Sequence, residues 1–244
     1  MTIPAPFSSD FPLKNYPYRS RVASQFDAAK NYYAVAFKPG FPLQAGELNE
    51  MQELFYAQQT LTQTLAANWH NMEYLQQLNV SMTETPWNGC TPLSADLIGY
   101  SDPDSGPLTI TAKAGWYLLK KDTFNGGLGV WVYNPQDTAI LTEYSITSSV
   151  AVDGDYGIIV KPVEVNCTTN ATELTYEDRT LQDASNINVI NGPCGAARLK
   201  MEIVGFGRSG TQGTGETFLP IITTGRTSES VFVKYQNKYV IVTK

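Results

Sequence analysis

The feature that most limits what this chain can fold into is a proline-free run across residues 43–78, entered abruptly from an extended segment. Tyr32, Tyr33, Val35 and Phe37 are aromatic or β-branched, so residues 31–38 favour an extended backbone. Pro39 and Pro42 each disfavour helix at the residue before them, which delays any helix until Leu43. The composition then changes at once to Gln, Ala, Glu, Leu and Met, all good helix formers. Apolar residues recur at helical spacing, at Leu48, Met51, Leu54, Phe55, Leu61, Leu65, Trp69, Met72, Leu75 and Leu78, and predict one apolar stripe. At about 1.5 Å per residue such a helix is a rod of ~50 Å, far longer than the usual ~11–12 residues. Its first half carries Glu47, Glu50 and Glu53, which suit a helix N-terminus. Its second half presents Gln58, Gln59, Thr60, Thr62, Gln63, Thr64 and Asn68, with almost no charge. A face of that kind either packs on a β domain of the same chain or meets another subunit.

The rest of the chain reads as β structure and connections. Residues 1–25 hold Pro4, Pro6, Pro12 and Pro17, a density that prevents regular helix or central strand. Phe7, Phe11, Tyr16 and Tyr18 lie between them, whereas disordered tails are poor in aromatics, so an extended arm lying in a groove is expected. Residues 81–107 are rich in turn signals and predict a connection with only short secondary structure. From Leu108 the pattern becomes that of strands, predicted over 108–112, 115–120, 129–133, 143–152, 156–167, 197–206, 217–223, 231–235 and 238–243. Asn125-Gly126-Gly127, Asn134-Pro135, Asp153-Gly154-Asp155 and Gln236-Asn237 read as the turns between them. The expected fold is therefore mainly β with one long α-helix: an extended arm and strand (1–42), the helix (43–80), a connecting loop (81–107) and an antiparallel sandwich or barrel-like domain (108–244).

Charged residues make up 16% of the chain, against about 25% in an average soluble domain. Sparse charge with abundant neutral polar residues suits a large interface. The net charge is −6 and no basic cluster exceeds Lys120-Lys121, which argues against nucleic-acid binding. No run approaches 18 apolar residues, so no membrane-spanning helix is expected. The N-terminal residues lack the apolar core of a signal peptide. Cys90, Cys167 and Cys194 form no C-x-x-C pair and read as free thiols of a protein made in a reducing cytoplasm.

No constellation for chemistry emerges. His70, the single histidine, has no acid or cysteine placed to assist it, and a zinc site from His70 and the three cysteines lacks paired spacing. The glycine-rich run at 205–216 lacks the Lys-Ser/Thr of a phosphate loop and lies between predicted strands. Asp102/Asp104, Asp153/Asp155 and Glu177/Asp178 lack the further oxygen ligands that calcium needs. Trp87, Trp116, Tyr117 and Trp131 suit either a sugar-binding platform or, more simply, a β core. No catalytic, cofactor-binding or metal-binding residue is assigned, and no cofactor is expected.

The run YYAVAFKPGFPLQAGELNEMQELF resembles the N-terminal signature of a family of tailed-bacteriophage virion structural proteins of the baseplate-wedge or tail-fibre-attachment type. An extended segment, a Pro-Gly turn and an L-Q-A-x-E-L-N-E helix start occur in that order. A second stretch, TLQDASNINVINGPCGAARLKMEI at 180–203, is similar to a loop of the same family, departing from it at Gln182 and Ser185 and in the inserted Cys194. The resemblance implies a structural component of the phage tail, assembled in the host cytoplasm, without enzymatic activity and bound to other tail or baseplate proteins. Closed symmetry adds the expectation of a homodimer or homotrimer. The residues that carry the signature are Tyr33, Phe37, Pro39, Gly40, Leu43, Gln44, Glu47, Leu48 and Asn49. Glu47 and Asn49 are expected to satisfy free amides at the helix start or to cap against the β domain, and Arg198 to anchor the second stretch by a charged hydrogen bond to Asp183. A receptor- or glycan-binding module of a tail fibre is the alternative.

Overall fold

The structure is a computed structural model, and it describes residues 28–37, 39, 45–71, 89–94, 97–101, 106–121, 129–166, 169–170, 196–235 and 238–243. The described residues form one α-helix, α1 (Ala45–Asn71), and twelve strands: β1 (Tyr32–Phe37), β2 (Gly89–Pro92), β3 (Ile98–Tyr100), β4 (Leu108–Ala112), β5 (Gly115–Lys120), β6 (Val130–Asn134), β7 (Thr138–Tyr144), β8 (Gly154–Val165), β9 (Ala196–Arg208), β10 (Thr217–Arg226), β11 (Ser230–Tyr235) and β12 (Lys238–Thr243). The fold is mainly β and antiparallel with a single helix, as the sequence predicts. The strands form a six-stranded sheet in the order β1-β9-β8-β10-β11-β12 and two three-stranded sheets, β2-β5-β6 and β3-β4-β7. No helix among the described residues is long and apolar enough to cross a membrane. The predicted arm at 1–25 and the predicted end of the helix at 72–80 lie outside the described residues.

The chain divides into two compact units, one of residues 1–61 and 162–202, the other of residues 62–161 and 203–244. In the first, β1 pairs with the start of β9, from Phe37↔Ala196 to Tyr32↔Lys200, with a register shift between Tyr32 and Ala34. Asn31 leads into β1 at φ 53, a left-handed conformation that asparagine tolerates, and its carbonyl accepts the Met201 N–H at 3.1 Å. The Gln58 amide of α1 donates to the Tyr33 carbonyl at 3.2 Å, which fixes the helix along β1. Leu54, Ala57 and Leu61 are the apolar side chains that this part of the helix buries.

In the second unit, β4 alternates cleanly, burying Leu108, Ile110 and Ala112. Tyr117 is fully buried, and its hydroxyl lies 3.0 Å from the Leu97 carbonyl and 2.7 Å from the Lys113 carbonyl, sharing its proton between them. The Trp131 indole donates to Thr62 Oγ1 at 3.2 Å, tying β6 to the following half of the helix. The predicted connection at 81–107 supplies two short strands, β2 and β3, which pair with β5 and β4.

One predicted strand is displaced. Residues 143–152 are rich in β-branched side chains, yet the strand is Thr138–Tyr144, and 145–153 form an irregular loop. The reason is a cation from elsewhere in the chain. Arg226 donates through Nη1 to the Ser148 carbonyl at 2.6 Å and through Nε to Asp153 Oδ1 at 2.7 Å, and the Tyr144 hydroxyl donates to the same oxygen at 2.8 Å. Asp153-Gly154-Asp155 is consequently not a hairpin turn. Gly154 and Asp155 open β8, and Asp155 accepts the Thr223 hydroxyl of β10 at 2.6 Å.

Two buried protons give the fold a pH limit. Desolvation raises the pKa of the Cys90 thiol and of the Tyr117 hydroxyl, for Tyr117 with smaller contributions from Cys90 and Asp137. With the folded values raised, the unfolded chain loses these protons first, so rising pH favours unfolding. The urea midpoint should be level from pH 6 to 8 and fall from about pH 9 upward, where free thiols and phenols ionise. Urea titrations at pH 7 and pH 10 check this, and equal midpoints would contradict it. Cys90→Ala should make the alkaline decline shallower.

Candidate assembly surface

The first half of α1 is turned inside out relative to an ordinary amphipathic helix. Three glutamates point inward: Glu47, Glu50 and Glu53 are each at most 4% exposed. Three large apolar side chains point outward: Met51 is 41% exposed, Phe55 66% and Tyr56 49%. Met51 and Phe55 stand one turn apart on one face, and the Phe55 and Tyr56 rings meet edge to face, with centroids 6.1 Å apart. Gln52, Gln59, Thr60, Thr62 and Gln63 are exposed around them. No Asp, Glu, Lys, Arg or His is exposed between positions 51 and 66.

A buried ion pair sets this orientation. Arg198 of β9 is 1% exposed and grips Glu50 with both arms of its fork, Nη2 to Oε2 at 2.7 Å and Nε to Oε1 at 3.3 Å. Its Nη1 donates to the Ala196 carbonyl of its own strand at 3.2 Å. The register of β9 places Arg198 opposite Val35 of β1, so the strand pairing presents the guanidinium to the helix. Successive residues turn by about 100° around a 3.6-residue helix, so a one-residue rotation toward a conventional apolar seam would pull Glu50 off Arg198. A bidentate charged pair is directional, and a buried one fixes register more than it adds net stability. Here it keeps Met51 and Phe55 facing out.

One expectation is corrected at this point. Met51 and Phe55 belong to the stripe predicted to be buried, but the inward positions are 47, 50, 53, 54, 57, 61 and 65, three of them carboxylates. Among the described residues the carboxylate on Arg198 is Glu50; the expected partner, Asp183, lies outside the described residues. The two signature stretches are joined through Glu50 and Arg198. Of the other signature residues, Tyr33 is half-buried with its carbonyl on Gln58, Phe37 is half-buried at the end of β1, and Pro39 is exposed. Glu47 is buried, and Leu48 and Asn49 are half-buried. Gly40, Leu43 and Gln44 lie outside the described residues. Glu50 and Tyr56 were absent from the predicted site. The signal for them was three glutamates at i, i+3 and i+6, which one helix side must carry together.

Among the described residues, no group of three or more His, Cys, Asp or Glu is placed to hold a metal ion. Cys90 is buried, and desolvation disfavours its thiolate. Cys167, Cys194 and the His70 side chain lie outside the described residues. Trp116, Tyr117 and Trp131 are each at most 6% exposed and serve as core. No family model, characterised protein or solved structure matches this chain.

Proposed function

We propose that the chain is a structural subunit of a bacteriophage tail or baseplate, of the wedge or tail-fibre-anchoring type, and that it acts by protein–protein assembly without catalysis. The resemblance of its two signature stretches supplies the virion setting. The observation that carries the assembly reading is the outward apolar face of α1, held by the Glu50–Arg198 pair while the acids are withdrawn from solvent. Its occupant is the same face of a second copy. A symmetric contact brings each residue near its own counterpart or that residue's neighbours, and a surface without charged groups can do so without like-charge repulsion. Obligate interfaces run to ~2,000 Å² and more, beyond what one helix face offers. The proline- and aromatic-rich residues 1–25 are the second contributor, and other tail proteins occupy the remaining surfaces. Burial of Trp116, Tyr117 and Trp131 removes three of the four aromatics on which a glycan-binding platform would rest.

Light scattering on the purified full chain tests this. The full chain should have a mass above the 26.9 kDa of one copy. Phe55→Glu/Tyr56→Glu should lower that mass with unchanged far-UV circular dichroism, since surface changes alter folding by about 0.5 kcal/mol or less. Removal of residues 1–25 should lower it as well. A monodisperse monomer of the full chain would overturn the reading.

A further inference from the structure

Asp153-Gly154 is the only Asp-Gly pair in the chain, and a separate demand of the fold fixes each of its residues. Gly154 opens β8 at φ 139, a conformation that L side chains rarely adopt, so glycine is required there. Asp153 supplies the oxygen on which the Arg226 Nε–H, at 2.7 Å, and the Tyr144 hydroxyl, at 2.8 Å, converge. Through Nη1 the same arginine donates to the Ser148 carbonyl, so the acid anchors the cation that orders residues 145–153. The resulting dipeptide is chemically labile. A side chain on the residue after an aspartate crowds that residue's amide nitrogen. Glycine has none, so its nitrogen can reach the aspartate Cγ.

We propose that Asp153-Gly154 is a site of spontaneous backbone modification, by succinimide formation and opening to isoaspartate, and that Arg226, Tyr144 and Thr224 hold it shut. In the first step the Gly154 nitrogen bonds to Asp153 Cγ, and the amide proton leaves with the carboxyl hydroxyl as water. In the second step one water opens the five-membered ring. Attack at the former side-chain carbonyl restores aspartate. Attack at the main-chain carbonyl leaves the chain running through Cβ and Cγ of residue 153, with the α-carboxylate free. The water lost is regained, and no other reactant takes part. The folded chain opposes the first step in three ways. The guanidinium contact is charge-assisted and holds the side chain as the carboxylate, from which no hydroxyl can leave. The Gly154 N–H donates to Thr224 Oγ1 at 3.2 Å, and the Thr224 hydroxyl donates to the Gly154 carbonyl at 3.1 Å. Gly154↔Thr224 is also the terminal register pair between β8 and β10, so ring closure requires that end of the ladder to fray. The Asp153 side chain is 45% exposed, which gives water access to the ring. Isoaspartate would add a backbone atom before β8 and move the carboxylate onto the main chain, away from Arg226, so the loop at 145–153 would lose its anchor.

The experiment uses the full chain, held at neutral pH for weeks and then digested with an endoproteinase that cuts before aspartate but not before isoaspartate. Mass spectrometry of the peptides gives the rate at position 153. Isoaspartate there leaves the mass unchanged, which separates it from deamidation at the three Asn-Gly pairs of the chain. Isoaspartate should accumulate several-fold more slowly in the folded chain than in the chain unfolded in urea. Arg226→Ala should raise the folded rate several-fold. Tyr144→Phe, which removes one donor and keeps the cation, should raise it less, and it decides the matter if Arg226→Ala loses its native circular dichroism. Three results would each overturn the proposal: no isoaspartate at 153 in the unfolded chain, equal rates in the folded and unfolded chains, or natively folded variants that react at the parent's rate.

Discussion

Arg198→Ala is expected to cost about 3–5 kcal/mol of folding stability, the range found when one partner of a buried ion pair is removed. The loss is not the strength of the salt bridge. It is the cost of leaving the Glu50 carboxylate, 5% exposed, without the guanidinium that accompanies it inside. Glu47 and Glu53 stand one helical turn to either side and are as deeply buried, so the stranded charge also has like charges as neighbours. Replacing both partners by apolar residues, Arg198→Met/Glu50→Leu, removes the charge along with its partner and should lie within ~1–2 kcal/mol of the parent or be more stable. Urea unfolding of the two single variants and the double variant closes the cycle. A loss below about 1 kcal/mol for Arg198→Ala would mean that Glu50 reaches water once the arginine is gone, and that the pair does not hold the helix in its rotation. If it does hold it, the double variant should fold yet assemble poorly, because an apolar seam no longer requires Met51 and Phe55 to face out.

How much of this was legible in the sequence depended on whether the deciding interaction was local. β4 and β5 fall at the predicted residues, because alternation and bounding turns are local signals. The strand predicted at 143–152 was displaced by Arg226, more than 70 residues away, whose hydrogen bonds to Ser148 and Asp153 override the β propensity of Ile146, Val150 and Val152. The existence of α1 was plain, but its rotation was not. Periodicity counted Met51 and Phe55 as core because no local rule makes a glutamate an inward residue. The cation that permits it comes from 148 positions further on.

Gly157→Ala should be the most damaging glycine-to-alanine change among the described residues, at or above the top of the ~1–3 kcal/mol typical of overpacking. The reason begins with Pro220. β10 lies between β8 and β11, an interior position where proline removes a ladder donor and is normally excluded except at a bulge. The ladder has such an irregularity: the β8–β10 register shifts between Pro220 and Ile222. Gly157 is the residue opposite Pro220, and the two backbones come closer there than a side chain allows. A Cβ at 157 would collide with the Leu219 carbonyl oxygen and stand 2.8 Å from Pro220 Cα. These are backbone atoms and cannot swing aside as a side-chain tip does. β10 would have to move, carrying Leu219 and Ile222, both at most 2% exposed, out of their packing. Gly205→Ala in β9 is the matched control, since a Cβ there meets nothing within 4 Å and should be neutral or slightly stabilising. Thermal unfolding of the two variants should separate them by several degrees at least. Equal midpoints would show that the Gly157–Pro220 approach relaxes without cost and that the bulge, not the missing side chain, accommodates the proline.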